Sequence, residues 1–179
     1  MGFGLGQDIG NFITALINAG APPAFNWSNR PAYSNGTQVA EGDTIILKAT
    51  RFTPPNPIAM FTGSSDEGWV YMKESNSKWI TWSGSKSDAR KFKVKKDQNR
   101  CVLIDVETNL AMRYQGDWYA LDTYDSNSIS NFSIACKQNM IFFEADKEPM
   151  WCVWAKNPGA WSFNNNKRGQ PVTFELQKV

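Results

Sequence analysis

Histidine is missing from all 179 residues. Its absence removes the commonest general base, the usual partner that activates a nucleophile, and the commonest metal ligand. No GxGxxG, Walker loop or GxSxG occurs either. No pair of carboxylates falls inside a recognisable motif, so the sequence points to a non-catalytic protein without a metal or other cofactor. Cysteine is scarce. Cys101, Cys136 and Cys152 lie far apart, form no CxxC pair, and each sits in an apolar, strand-like run. Buried free thiols are the expectation, rather than a disulfide framework or a metal site, and a reducing compartment with them. Long apolar runs are also lacking. The stretch "MGFGLGQDIGNFITALINAG" has neither the positive start of a secretory signal nor enough apolar residues to span a membrane. Gly2 suggests a myristoylation acceptor, but Gly6 stands where that pattern wants Ser or Thr. A soluble, cytoplasmic protein is expected, with the sequons at Asn26, Asn35 and Asn131 as chance matches.

What the chain has is tryptophan on a repeated spacing. Trp69, Trp79 and Phe92 are followed, in the same intervals, by Trp151, Trp161 and Phe174. Between them Leu110, Trp118 and Phe132 form a deformed copy. Three units of about forty residues result. Each reads as four strands: an apolar run ("TIILKA", "CVLIDV", "MIFFEA"), a second ("WVYMK", "LAMRY", "WCVWA"), a third ("WITWS", "WYALD", "AWSFN") and a closing strand ("KFKVKK", "NFSIACK", "TFELQKV"). Aromatic and β-branched enrichment, with turns rich in Gly, Asn, Asp and Ser, argues against helix. The expected fold is all-β, a β-trefoil over 37–179 with repeats at about 42–97, 98–138 and 139–179. One large side chain per copy converging on a shared axis would place Trp79, Trp118, Trp161, Phe92, Phe132 and Phe174 in the core.

Function is then sought where the repeat fails. The first copy carries an insertion, "TRFTPPNPIAMFTGSSDEG", stiffened by Pro54, Pro55 and Pro57. Charge is also uneven: Lys86, Arg90, Lys91, Lys93, Lys95, Lys96 and Arg100 crowd one stretch, while 101–150 is acidic. On the closing strand Phe92 and Val94 face inward and Lys91, Lys93 and Lys95 outward, which reads as a solvated strand face in preference to a nucleic-acid site. A third departure is Trp82, Asp117, Tyr119, Tyr124, Asn164 and Asn166, which lie outside the repeat's aromatic positions. Sugar sites need an aromatic face for the C–H surface of the ring and Asp or Asn to fix its hydroxyls.

Ahead of the repeats, in 1–36, Ile9, Phe12, Ile13, Leu16 and Ile17 fall on one face of an amphipathic helix, ended by Gly20, Pro22 and Pro23, with a connector after it. Its polar face carries no Lys or Arg, which disfavours a membrane surface. The helix would pack on its own barrel or pair subunits into a homo-oligomer.

The threefold Trp-rich pattern resembles the β-trefoil superfamily, and in particular cytoplasmic agglutinins such as the amaranthin-type and fungal β-trefoil lectins. The resemblance is architectural. The QxW signature of ricin-type lectins is absent from the closing strands, so no sugar-binding residue carries over by position. The resemblance implies a lectin, multivalent through oligomerisation, with a glycan or glycoprotein as partner. Trp82, Asp117, Tyr119, Tyr124, Asn164 and Asn166 are the expected ligand contacts. Two other readings stand beside it: a protein-binding module such as a protease inhibitor acting through the 50–65 loop, and a membrane-active protein using the N-terminal helix.

Overall fold

The structure, a computed structural model, describes residues 21–51, 67–72, 78–155, 160–164 and 170–179. The expected helix and most of the insertion, 52–66, lie outside these; the insertion's two ends belong to strands. No helix among the described residues is long and apolar enough to cross a membrane.

The described chain is all-β. Twelve strands run in chain order: β1 (Thr44–Arg51), β2 (Glu67–Met72), β3 (Ile80–Ser83), β4 (Phe92–Asp97), β5 (Arg100–Asp105), β6 (Ala111–Gln115), β7 (Trp118–Asp122), β8 (Ile134–Lys137), β9 (Met140–Phe143), β10 (Trp151–Ala155), β11 (Ala160–Asn164) and β12 (Gln170–Lys178). They coincide with the strands read from the three sequence copies. All pair antiparallel in one curled sheet. β1 pairs with β12 from Ile45↔Lys178 to Arg51↔Val172, and with β4 at Ile45↔Phe92. β4 pairs with β5, β5 with β8, and β8 with β9. The hairpins β2–β3, β6–β7 and β10–β11 meet through Ser162↔Thr81, Asn164↔Trp118 and the Trp79↔Ala120 bridge.

Local sequence explains the tight turns. The β4–β5 and β8–β9 hairpins both turn on a Gln-Asn pair, Gln98-Asn99 and Gln138-Asn139, and all four residues have positive φ. A two-residue loop that matches strand twist needs positive φ at both positions, and Asn adopts it at least cost among non-glycine residues.

Alternation then fills the interior. Ile45, Leu47 and Ala49 of β1 join Phe92 and Val94 of β4, Cys101 and Leu103 of β5, Ile134 of β8, Ile141 and Phe143 of β9, and Val172, Phe174 and Leu176 of β12 in one buried cluster. β5 and β9 are buried on both faces. The outer Val102 of β5 packs with Phe132, Ile104 and Tyr124, and Met140 and Phe142 of β9 pack with Phe25. The segment 21–43, whose part up to Gly36 is the expected connector, is thus fastened to the sheet: Trp27 N–H donates to the Asn99 carbonyl at 2.7 Å, and Val39 is buried in the main cluster.

The repeated indoles correct the sequence expectation. Phe92, Phe132 and Phe174 are buried, but Trp79 is 43% exposed and Trp118 only half-buried; the side chain of Trp161 is outside the described residues. The core positions of the hairpins are Ile80, Tyr119, Leu121 and Phe163. In the first two copies these include the residue after the tryptophan. Successive strand side chains point to opposite faces, so a shift of one residue exchanges core for surface. We expect Ile80→Ala to cost about 2–4 kcal/mol and Trp79→Ala clearly less, measured by urea denaturation; the reverse order would refute this register.

One half-buried carboxylate ties three segments together. Asp43 accepts from the Lys178 ammonium at 2.6 Å, the Ala40 N–H at 2.9 Å and the Tyr33 hydroxyl at 2.7 Å. Led by Lys178, these donors hold its carboxyl down to about 2, from an ordinary 3.8. A carboxyl that ionises more readily folded than unfolded contributes stability fully above the unfolded pKa, and loses it as pH falls through the folded one. Asp43→Asn should lower unfolding free energy by about 1–2 kcal/mol at neutral pH, with the difference shrinking between about pH 4 and about pH 2. Denaturation curves across that range check both sign and window.

Candidate functional site

The outer face of the β4–β5 hairpin forms a groove. Lys93 stands across from Ile104 and Lys95 from Val102, so strand alternation sets two ammonium groups beside an apolar floor. Three loops raise the walls. The 40–43 turn is pinned to β4 by Gly42 N–H donating to the Val94 carbonyl and Val94 N–H to the Asp43 carbonyl, each at 2.8 Å. Gly42 makes the turn at φ +85°, which suits glycine, and the turn presents Glu41. The β5–β6 turn is shaped by the buried Asp105, whose carboxylate accepts from Thr108 N–H and the Thr108 hydroxyl at 2.9 and 2.5 Å; it carries Asn109. The third wall is Tyr124, which follows β7. The groove holds about 520 Å³ and is lined by Glu41, Gly42, Lys93, Val94, Lys95, Ile104, Asn109 and Tyr124, within the range of small-molecule sites.

Tyr124 is held from several sides. Its ring meets Phe132 edge to face with centroids 5.2 Å apart, the Lys95 ammonium lies 4.3 Å from its centroid, and its hydroxyl donates to Asp97 Oδ2. Burial, and after it the Asp97 carboxylate, pushes the phenol well above its ordinary 10.0, so it stays protonated and donating. Lys95 is itself 4.0 Å from Asp97. Beneath this end of the hairpin, Arg100 grips Glu144 through two hydrogen bonds of 2.7 and 3.0 Å. The groove thus offers an ordered aromatic wall with cations, a carboxylate and an amide around it. Such a set can bind and orient a polar ligand.

The expected site residues do not gather in one place. Tyr124 lines the groove. Tyr119 does not reach solvent: it is 0% exposed, packs 5.0 Å from Phe143, and donates its hydroxyl to Asp146 at 3.1 Å. Its ring belongs to the core and is unavailable for stacking on a ligand. Asp117 is exposed at the tip of the β6–β7 hairpin, in the two-residue turn closed by Gln115↔Trp118. Asn164 ends β11, with Trp118 as Cα partner, and Trp82 lies in β3 opposite Val70; the side chains of these two, and Asn166 entirely, are outside the described residues. The groove residues not expected from sequence are Glu41, Gly42, Ile104 and Asn109. Lys93 and Lys95 were visible as an outward ladder but read as plain solvated surface.

Among the described residues no group of His, Cys, Asp and Glu could hold a metal ion. Cys101 is buried and free, its thiol pushed up to about 12 by burial; Cys136 is a free, half-buried residue whose thiol burial also raises. Neither is set up as a nucleophile. No family model matches the chain, and no curated protein is significantly similar to it.

The Tyr124–Asp97 bond yields a direct check. Tyr124→Phe keeps the ring and removes the donor, and should destabilise the fold by about 1–2 kcal/mol; Tyr124→Phe in an Asp97→Asn background should cost less than in the native chain. Purely additive losses in that cycle would disprove the coupling.

Proposed function

We propose that this chain is a β-trefoil lectin whose sugar site is the groove beside Tyr124. Strand pairing supports the trefoil. Successive pairing of β1, β4, β5, β8 and β9, with β12 back on β1, traces five sides of the six-stranded ring such a fold requires. The sixth is supported by the Phe174 N–H donating to the Asn139 carbonyl at 2.8 Å. The three remaining hairpins meet one another, as a trefoil cap does, and the shared Gln-Asn turns fit a threefold repeat.

The observation that carries the lectin reading is the pre-ordered Tyr124 wall flanked by Asn109, Glu41 and two lysines in one open groove. A sugar needs an apolar surface for its C–H face and polar groups for its hydroxyls, and the groove brings both kinds of group together around an ordered Tyr124. A non-catalytic, multivalent agglutinin acting in the cytoplasm completes the proposal, with self-association through residues 1–20. The inhibitor and membrane readings rest on 50–65 and 1–20, largely outside the described residues, and no observation in the described part favours either.

A glycan array with the native chain, run beside Tyr124→Ala, tests the proposal. Binding to a defined set of glycans that Tyr124→Ala weakens at least about tenfold supports it. A blank array with folded protein sinks it.

A further inference from the structure

We infer that the groove prefers a sugar bearing a single carboxylate, of the sialic-acid or uronic-acid class, over neutral sugars and over polyanionic chains. The inference rests on the lectin reading above and concerns only what that groove selects.

Charge on the groove walls is the starting point. Lys93 and Lys95 are two residues apart on one face of β4, so a single carboxylate can lie between their ammonium groups. They are not equivalent. Lys95 is already placed over the Tyr124 ring and near Asp97, whereas exposed Lys93 has no hydrogen-bond or ion-pair partner among the described residues. Lys93 therefore supplies an unspent charge-assisted hydrogen bond, and Lys95 a fixed positive field beside the aromatic wall.

Glu41 decides against a polyanion. The lining carries two ammonium groups and one carboxylate, a net charge of one, and Asp97 lies just behind. One acidic group on the ligand neutralises that excess. A second, brought toward Glu41, meets like charge, which is how a site rejects a related but wrong ligand. Glu41 and Asn109 instead suit hydroxyl and acetamido groups: the carboxylate accepts, and the amide both donates and accepts. A sialic or uronic acid residue then finds matching groups, its C–H surface against the apolar floor at Ile104 and the edge of the Tyr124 wall that Lys95 covers, the acid at Lys93, the neutral polar substituents at Glu41 and Asn109.

Calorimetric titration with sialyllactose, lactose, a glucuronide, the matching glucoside and heparin tests this on the full-length chain. At about 0.15 M salt, sialyllactose or the glucuronide should bind about tenfold tighter than its neutral counterpart; which one does identifies the source of the acid. Lys93→Gln should abolish that preference. Lys91→Gln, on the same ladder but outside the groove, should retain it, and Glu41→Gln should improve binding of heparin. Equal binding of acidic and neutral sugars, or a preference untouched by Lys93→Gln, would overturn the inference and leave the lectin reading standing. So would heparin binding tighter than either mono-acid. Failure of every sugar to bind would remove the lectin reading itself.

Discussion

The whole sheet depends on β1 being held from several directions at once. It pairs along its length with β12, near its start with β4, and near its end with β2, while Ile45, Leu47 and Ala49 enter the core. The β12 contact joins opposite ends of the described chain. Closing so long a loop costs entropy that grows only slowly with length, but none of the reward comes until both strands are in place. Asp43 sits at this seam. It binds Lys178 of β12 and Tyr33 of the preceding segment through one carboxylate, so the final strand, the first strand and the segment over the sheet are fixed together. A sheet dominated by such non-local pairs is expected to fold slowly for its size.

Strand existence and grouping were legible in the sequence because they are written in composition and spacing. The runs "CVLIDV" and "MIFFEA" became β5 and β9, and the four-strand grouping recurs three times. Facing was less legible. Recurrence of Trp79 and Trp118 marks equivalent places without saying which side of the strand is wet. In "WYALD" the alternation offers two solutions, Trp118 and Ala120 inward or Tyr119 and Leu121 inward, and packing chose the second. The same choice removed Tyr119 from the candidate site and made it a core residue. A continuously apolar strand such as "MIFF" hides its facing altogether, because Phe25 covers the outer side.

The site was legible in fragments. Tyr124 stood out as an aromatic off the repeat, and the lysine ladder as a charge run. Glu41 and Asn109 carried no such signal, since turn residues of these types ordinarily satisfy local backbone. They join the groove only because the Gly42 turn is pinned to Val94 and the Asp105 turn folds back beside Ile104. Asp117, whose carboxylate could accept from hydroxyls, lies instead at a hairpin tip. Residue chemistry can be read along a chain. Convergence of separate turns on one face is a property of the assembled sheet.

Comparison of the copies explains why the groove lies where it does. Aligned on Phe92, Phe132 and Phe174, the position of Lys93 is Ser133 in the second copy and Glu175 in the third; that of Lys95 is Ala135 and Gln177. Ser133 and Ala135 are fully buried, in a copy whose closing strand β8 pairs with β9, itself covered on its outer side by Phe25 from the 21–43 segment. A lysine at either place would lose its hydration, a cost no nearby apolar group could offset. In the third copy Glu175 is exposed but carries the opposite charge. Among the described residues the first copy alone combines two cations on one strand face of this kind, and Tyr124 stands alongside. The groove thus lies where the sequence copies differ, on a hairpin face that combines two cations with an apolar floor.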